Sequence, residues 1–342
     1  MRIALDGMGG DSAPAIVVQG AVQALRQSGG AFEIALVGRR DELDRALHQI
    51  ADLPSGLSVH HASQVVGMAD RPSAALRQLR DASIRVCFDL LAQGEVDAVV
   101  SAGNSGATMA TAVVVLGRLP EVDRPALASV LPGPSGPTVL VDVGANVDCT
   151  PLMLLQFGYM GSVYAQRVLG VTAPKVGLLS IGEESGKGNS LVKRAYEDFA
   201  TSPLNFVGNV EGRDMFSGAA QVVVCDGFVG NVCLKLSEAL GEMAIGVFVE
   251  LLSSSALART ASLLLKSELK KLTAQFDYAN YGGAPLLGVN GVAFVCHGAS
   301  SPKAIASALG RAADAVRGEL TRHLAEGLGQ YRGSLLGEGG RG

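Results

Sequence analysis

Five polar loops rich in glycine and asparagine hold most of the residues that could do chemistry. They are Ser101-Ala-Gly-Asn-Ser-Gly106, Asp142-Val-Gly-Ala-Asn146, Gly182-Glu-Glu-Ser-Gly-Lys-Gly-Asn189, Asp226-Gly-Phe-Val-Gly-Asn231 and Tyr281-Gly-Gly-Ala-Pro-Leu-Leu-Gly288. Each adjoins an apolar run and is expected to open a helix. Glycine lets the backbone approach a ligand closely, and the first turn of a helix leaves N–H groups without intrahelical partners. Those donors and the positive end of the helix dipole favour phosphate and other oxyanions. Gathered on one edge of a sheet, the five loops predict a site for an anionic substrate.

Within the loops, residue type sets the possible roles. Asn104, Ser105, Asn146 and Asn231 offer amides and a hydroxyl that hold a carbonyl or phosphate oxygen without adding charge. Asparagine also suits left-handed turns. Lys187, between Gly186 and Gly188, could neutralise a phosphate or protonate a leaving group. His297 follows the apolar run 292–296, where an imidazole could act as acid or base or make a structural hydrogen bond. Asp6 ends the first apolar run and either orients a substrate or caps its own loop.

Several familiar chemistries fail on spacing. A nucleotide P-loop needs four residues between its first two glycines, but three separate Gly182 from Gly186, and Gly188 stands where Ser or Thr would bind magnesium. The loop Gly7-Met-Gly-Gly-Asp-Ser12 puts Ser where a dinucleotide fingerprint has its third glycine. The second apolar run ends Val37-Gly-Arg-Arg40, without the carboxylate that would hold a ribose hydroxyl. No His/Cys/Asp cluster has zinc-ligand spacing, and no nucleophile elbow is present. The expectation is catalysis by positioning and electrostatics, with no cofactor and no metal.

Composition sets the bounds. The chain has 342 residues, 44 of them glycine, no Trp, 5% aromatic residues and a net charge of −4. That balance gives no reason to expect nucleic-acid binding. Cys87, Cys149, Cys225, Cys233 and Cys296 form no Cys-x-x-Cys pair and read as free thiols of a reducing cytoplasm. No apolar run reaches the ~18 residues of a membrane span, and the start, Met1-Arg-Ile-Ala-Leu-Asp6, reads as a strand.

The elements that must position these loops are short Val/Ile/Leu runs at residues 3–5, 34–37, 98–100, 139–143, 176–179, 222–225 and 292–296, alternating with helical patterns. Such alternation predicts a parallel sheet covered on both faces. Asp11-Ser-Ala-Pro14 and Ser300-Ser-Pro-Lys303 read as helix starts, each a cap followed by Pro in the first turn. One domain is expected over residues 1–331, with a flexible tail at 332–342 and a protruding helical pair at about 236–276. In that pair Leu257, Leu264 and neighbours mark an apolar face beside Arg259, Lys266, Lys270 and Lys271. It could serve a dimer mate, a lipid surface or a protein partner.

In order along the chain, Asp6-Gly-Met-Gly-Gly-Asp11, the loops at 101–107 and 142–146, Gly182-Glu-Glu with Lys187-Gly-Asn189, Cys225-Asp-Gly-Phe-Val-Gly-Asn231 and the run 281–298 resemble the bacterial phosphate acyltransferase family, PlsX. The pattern spans residues 1 to about 315; Gly7 replaces the usual Ala and Ser105 the usual Thr. The resemblance implies acyl transfer from acyl carrier protein to inorganic phosphate, yielding acyl phosphate for phospholipid synthesis. It implies a three-layer α/β/α fold like isocitrate and isopropylmalate dehydrogenases, and a homodimer. It also implies peripheral association with the inner face of the cell membrane, beside the downstream glycerol-3-phosphate acyltransferase. From their Gly-rich strand–helix setting, Asp6, Asn104, Ser105, Gly106, Asn146, Asn189 and Asp226 are expected to bind phosphate or substrate, with Lys187 beside Asn104 and Ser105 at the phosphate. Asn231 is expected to hold the oxyanion, and Lys187 or His297 to assist the departing thiolate. A phosphotransacetylase-like enzyme using an acyl-coenzyme A is the alternative.

Overall fold

In a computed structural model, residues 1–255 and 282–338 are described. Eleven strands form one sheet in the order β3-β2-β1-β4-β11-β10-β5-β6-β9-β7-β8. They are β1 (Arg2–Asp6), β2 (Glu33–Gly38), β3 (Leu57–His61), β4 (Ala98–Ser101), β5 (Ala126–Leu131), β6 (Thr138–Val141), β7 (Val176–Leu179), β8 (Phe206–Val210), β9 (Val222–Val224), β10 (Ala284–Leu287) and β11 (Val292–Val295). Alternate residues serve opposite faces. Ile3, Leu5, Val139 and Val141 join one core, while Ala4 and Leu140 join the other. The first core is roofed by α1 (Ala15–Ser28), α6 (Pro151–Arg167), α7 (Ser190–Ala200), α9 (Pro302–Arg317) and α10 (Leu320–Glu338). On the second face lie α4 (Ser83–Ala92), α5 (Ser105–Leu116) and the start of α8 (Gly227–Ser253). This is the expected three-layer α/β/α arrangement.

The sheet departs from a simple parallel order at its centre. β10 is antiparallel to both β11 and β5, and β5 is antiparallel to β6. The parallel set β3-β2-β1-β4-β11 therefore runs opposite to the parallel set β6-β9-β7-β8. This corrects the expectation of five loops on one edge: the loops after β4 and β11 leave the sheet in one direction, those after β6, β7 and β9 in the other. The segment 281–288 is no helix-opening loop either, because it contains β10.

Two terminal details also differ. α1 starts at Ala15 with Pro14 before it and no side-chain cap, so Asp11 does not cap it, whereas Ser301 caps α9 at Ala304 N–H with Pro302 in the first turn. Helix α10 runs to Glu338, seven residues into the segment expected to be a flexible tail. Gly333 and Gly337 cost a helix only about 1 kcal/mol each, too little to stop it. The first of the two expected helical patterns falls on α8, 27 residues long. Leu257, Arg259, Leu264, Lys266, Lys270 and Lys271 lie outside the described residues.

Candidate active site

Most of the expected ligand-binding loops prove to be engaged by their own side chains. The Asp142 carboxylate, wholly buried, accepts hydrogen bonds from the N–H groups of Leu127, Gly144, Ala145 and Asn146, and from Asn146 Nδ2, at 2.7–3.2 Å. Burial raises its pKa, and these donors oppose that shift. The donors of the 142–146 loop are thus occupied. Asn146 is further tied by its Nδ2 to the Pro125 carbonyl.

The same holds at three helix starts. Asn104 Oδ1 caps α5 at Ala107 N–H, and its Nδ2 donates to the carbonyls of Met68 and Asp70. Asn189 Oδ1 caps α7 at Val192 N–H, and Asp226 Oδ1 caps α8 at Val229 N–H. Each satisfies a donor that the helix leaves open. Asp6 is buried and takes Ser101 Oγ at 2.7 Å and Met8 N–H at 3.3 Å, joining the loops after β1 and β4. Burial raises its pKa, against hydrogen bonds from Ser83 and Ser101.

What remains open meets in one groove of about 690 Å³, against the face that α5 and α8 border. Leu127, Ser129 and Leu131, alternate residues of β5, line it together with Ala284, Val295 and Cys296. Ser105 of α5, Asn231 of α8 and His297 after β11 enter it from three different elements. Two sets of loops that leave the sheet oppositely therefore contribute to one cavity. Among the described residues the Ser105 and Asn231 side chains have no hydrogen-bond partner, nor do the N–H groups of Ser105 and Gly106. Gly106 itself is covered by Pro72: a Cβ there would lie 2.9 Å from Pro72 Cγ.

His297 has a defined tautomer. Ala299 N–H donates to its Nδ1 at 3.1 Å, so the neutral ring carries its proton on Nε2 and acts as a donor. Cys296, also in the groove, is buried and its thiol is pushed up to about 12. Burial thus disfavours the thiolate that a nucleophile would need.

Lys187 does not line this groove. Its stem folds over Gly182, where a Cβ would sit 3.1 Å from Lys187 Cγ, and its N–H donates to Glu184 O. Among the described residues, the cation that lines the groove is Lys235 on α8, with Nζ 3.4 Å from Glu238 Oε2. Loop motifs gave no hint of it. Its one signal was the spacing of four from Asn231, which places both on one helical face.

A covered three-layer sheet with a largely apolar groove, entered by a helix N-terminus and a few convergent polar groups, is the arrangement of an α/β/α protein with a small-molecule site. The family described as "Fatty acid synthesis protein" matches residues 1–322. A phosphate acyltransferase of Geobacter sulfurreducens is 50% identical over 328 residues, covering 95% of this chain and 94% of its own. A phosphotransacetylase from Streptococcus pyogenes shares the fold with a TM-score of 0.62 at 16% identity, covering 93% of this chain and 94% of its own. A 4-hydroxythreonine-4-phosphate dehydrogenase from Klebsiella pneumoniae aligns with a TM-score of 0.53 at 13% identity, over 95% and 99% of the two chains. The chain belongs to this fatty acid synthesis protein family and is an acyltransferase.

Proposed function

We propose that the protein transfers a fatty acyl group from acyl carrier protein to inorganic phosphate, forming acyl phosphate for phospholipid synthesis. The observation that carries this reading is the groove, which is lined by Leu127, Val130 and Leu131 of β5, Ala284 of β10 and Val295 of β11, and whose polar groups are few. Each buried methylene contributes about 0.8 kcal/mol, so such a groove favours a long acyl tail and gives an acetyl group almost nothing. That comparison ranks the carrier-protein reading above a short-chain acyl-coenzyme A enzyme.

In the proposed mechanism the α5 N-terminus, through the N–H groups of Ser105 and Gly106 and the Ser105 hydroxyl, receives one phosphate oxygen. A second phosphate oxygen attacks the thioester carbonyl carbon. Asn231 Nδ2 donates to the oxyanion that develops, a role whose loss typically costs ~10²–10³ in turnover. The C–O bond forms as the C–S bond breaks. His297 Nε2–H donates to the departing sulfur, and the proton of the hydrogen phosphate ends on the thiol. Thioester and hydrogen phosphate thus become acyl phosphate and free thiol, with no acyl-enzyme. Holding two reactants in register supplies roughly 7–11 kcal/mol of barrier reduction, so no side-chain nucleophile is needed.

The same reading includes a homodimer bound peripherally to the inner face of the membrane, where acyl phosphate passes to a glycerol-3-phosphate acyltransferase. Support comes from α8, on which Val232, Leu236, Leu240, Met243, Val247 and Leu251 recur at steps of three or four, each at least half exposed. No helix among the described residues is long and apolar enough to cross a membrane.

The test is release of free thiol from acyl carrier protein carrying a long acyl chain, with acyl phosphate trapped by hydroxylamine. Release should require inorganic phosphate and yield the hydroxamate. Equal rates with acetyl-coenzyme A would favour the alternative, and release that ignores phosphate would remove both.

A further inference from the structure

Among the described residues that line the groove, Lys235 is the single lysine or arginine and Glu238 the single carboxylate. Their ion pair is one turn apart with the lysine side chain 49% exposed. Such pairs add little stability, so stability does not account for a lysine on a largely apolar wall. A phosphate dianion entering this groove loses hydration and needs a countercharge. The N-terminus of α8 offers little. Its Gly227 N–H is bonded to Asn146 O, its Val229 N–H to Asp226 Oδ1 and its Gly230 N–H to Asp226 O. Lys187 lies outside the groove. Asn231 and Lys235, four residues apart, share the face of α8 that lines it.

We propose that Lys235 supplies the countercharge to the acceptor phosphate, with Glu238 holding the ammonium in the groove until the anion displaces it. The inference rests on inorganic phosphate being the acyl acceptor. It assigns the countercharge to a helical lysine instead of the glycine-flanked Lys187. Ser105, the α5 N–H groups and Lys235 would then hold different oxygens of one phosphate.

The experiment uses the full chain and inorganic phosphate. Lys235→Met, Lys235→Arg and Lys187→Met are compared in steady-state kinetics, and phosphate binding without donor is followed by ³¹P line broadening. Lys235→Met should raise the phosphate KM at least roughly tenfold, the loss expected on removing one charge-assisted hydrogen bond. The donor KM should stay within about twofold, since the tail is held elsewhere in the groove. Lys235→Arg should recover part of the phosphate affinity, and Lys187→Met should have the smaller effect on it. A folded Lys235→Met with the wild-type phosphate KM overturns the proposal, as does a larger phosphate effect at Lys187. Should Lys235→Met fail to fold, Lys235→Gln carries the same test. Thiol release from wild type that ignores phosphate would defeat the functional reading instead. In that event ³¹P binding decides: broadening lost in Lys235→Met keeps the site, and broadening unchanged removes it.

Discussion

Five hydrogen bonds converge on the Asp142 carboxylate, and four of them come from backbone N–H groups. A loop with that composition is indistinguishable in sequence from one that cradles a ligand, because both need glycine, a short polar side chain and free N–H groups. Asn104, Asn189 and Asp226 share the ambiguity, since an Asx residue before a helix is equally a cap. Ser105, Asn231 and His297 were legible as polar groups at the ends of apolar runs. Lys235 was not, because an isolated helical lysine is ordinarily a solvated one. At this scale Asp6 supplies a test of burial. Its native pKa is raised above the ordinary 3.8 by desolvation, so the folded state binds the proton more tightly than the unfolded chain. The corresponding stability is present below the ordinary carboxylate range and is lost as pH rises through the raised native value. Asp6→Asn lacks that dependence. The melting temperature of wild type minus that of Asp6→Asn should therefore fall as pH rises above the ordinary carboxylate range, with other titrating groups cancelling in the difference. A difference that grows with pH would contradict the raised value.

Among the elements, β1, β2, β4, β6, β7, β9 and β11 were legible because buried parallel-type strands read as continuous Val/Ile/Leu runs. The strands that reverse the sheet were not. β5 contains Ala126, Ala128 and Ser129, and β10 contains Pro285, a residue that argues against a strand interior. Missing that reversal is what turned two sets of loops into one predicted edge. The seat of α8 is the most demanding contact in the site. A Cβ on Gly230 would sit 1.8 Å from Asp142 O, whereas one on Gly241, farther along and lining the groove, meets nothing within 4 Å. Gly230→Ala should force α8 away from the 142–146 loop and lower stability by at least ~1–3 kcal/mol, the usual cost of overpacking. Gly241→Ala should raise stability by roughly 0.5–1 kcal/mol, since a helix interior prefers alanine. Urea unfolding of the two variants measures both signs. Equal effects would show that α8 does not rest on this glycine.

For the whole molecule, the antiparallel centre has a functional consequence. A uniformly parallel sheet collects its ligands beyond the carboxyl ends of its strands. Here β10 and β5 separate two opposed parallel sets, and the cavity extends over the face of the sheet between α5 and α8. That geometry suits a substrate with a polar head and a long apolar tail. Ser129, half-buried on β5, lines the groove along with Leu127 and Leu131. Ser129→Phe keeps a strand-forming residue there while filling space that a tail would occupy. In assays over a series of acyl carrier protein donors, this variant should lose activity with long chains by roughly tenfold or more, as a few unburied methylenes at about 0.8 kcal/mol each would give. Short-chain donors should be affected least, and the phosphate KM should stay close to wild type. A uniform loss across all chain lengths would mean that the cavity over β5 is not where the tail lies, and the long-chain reading would lose its structural support.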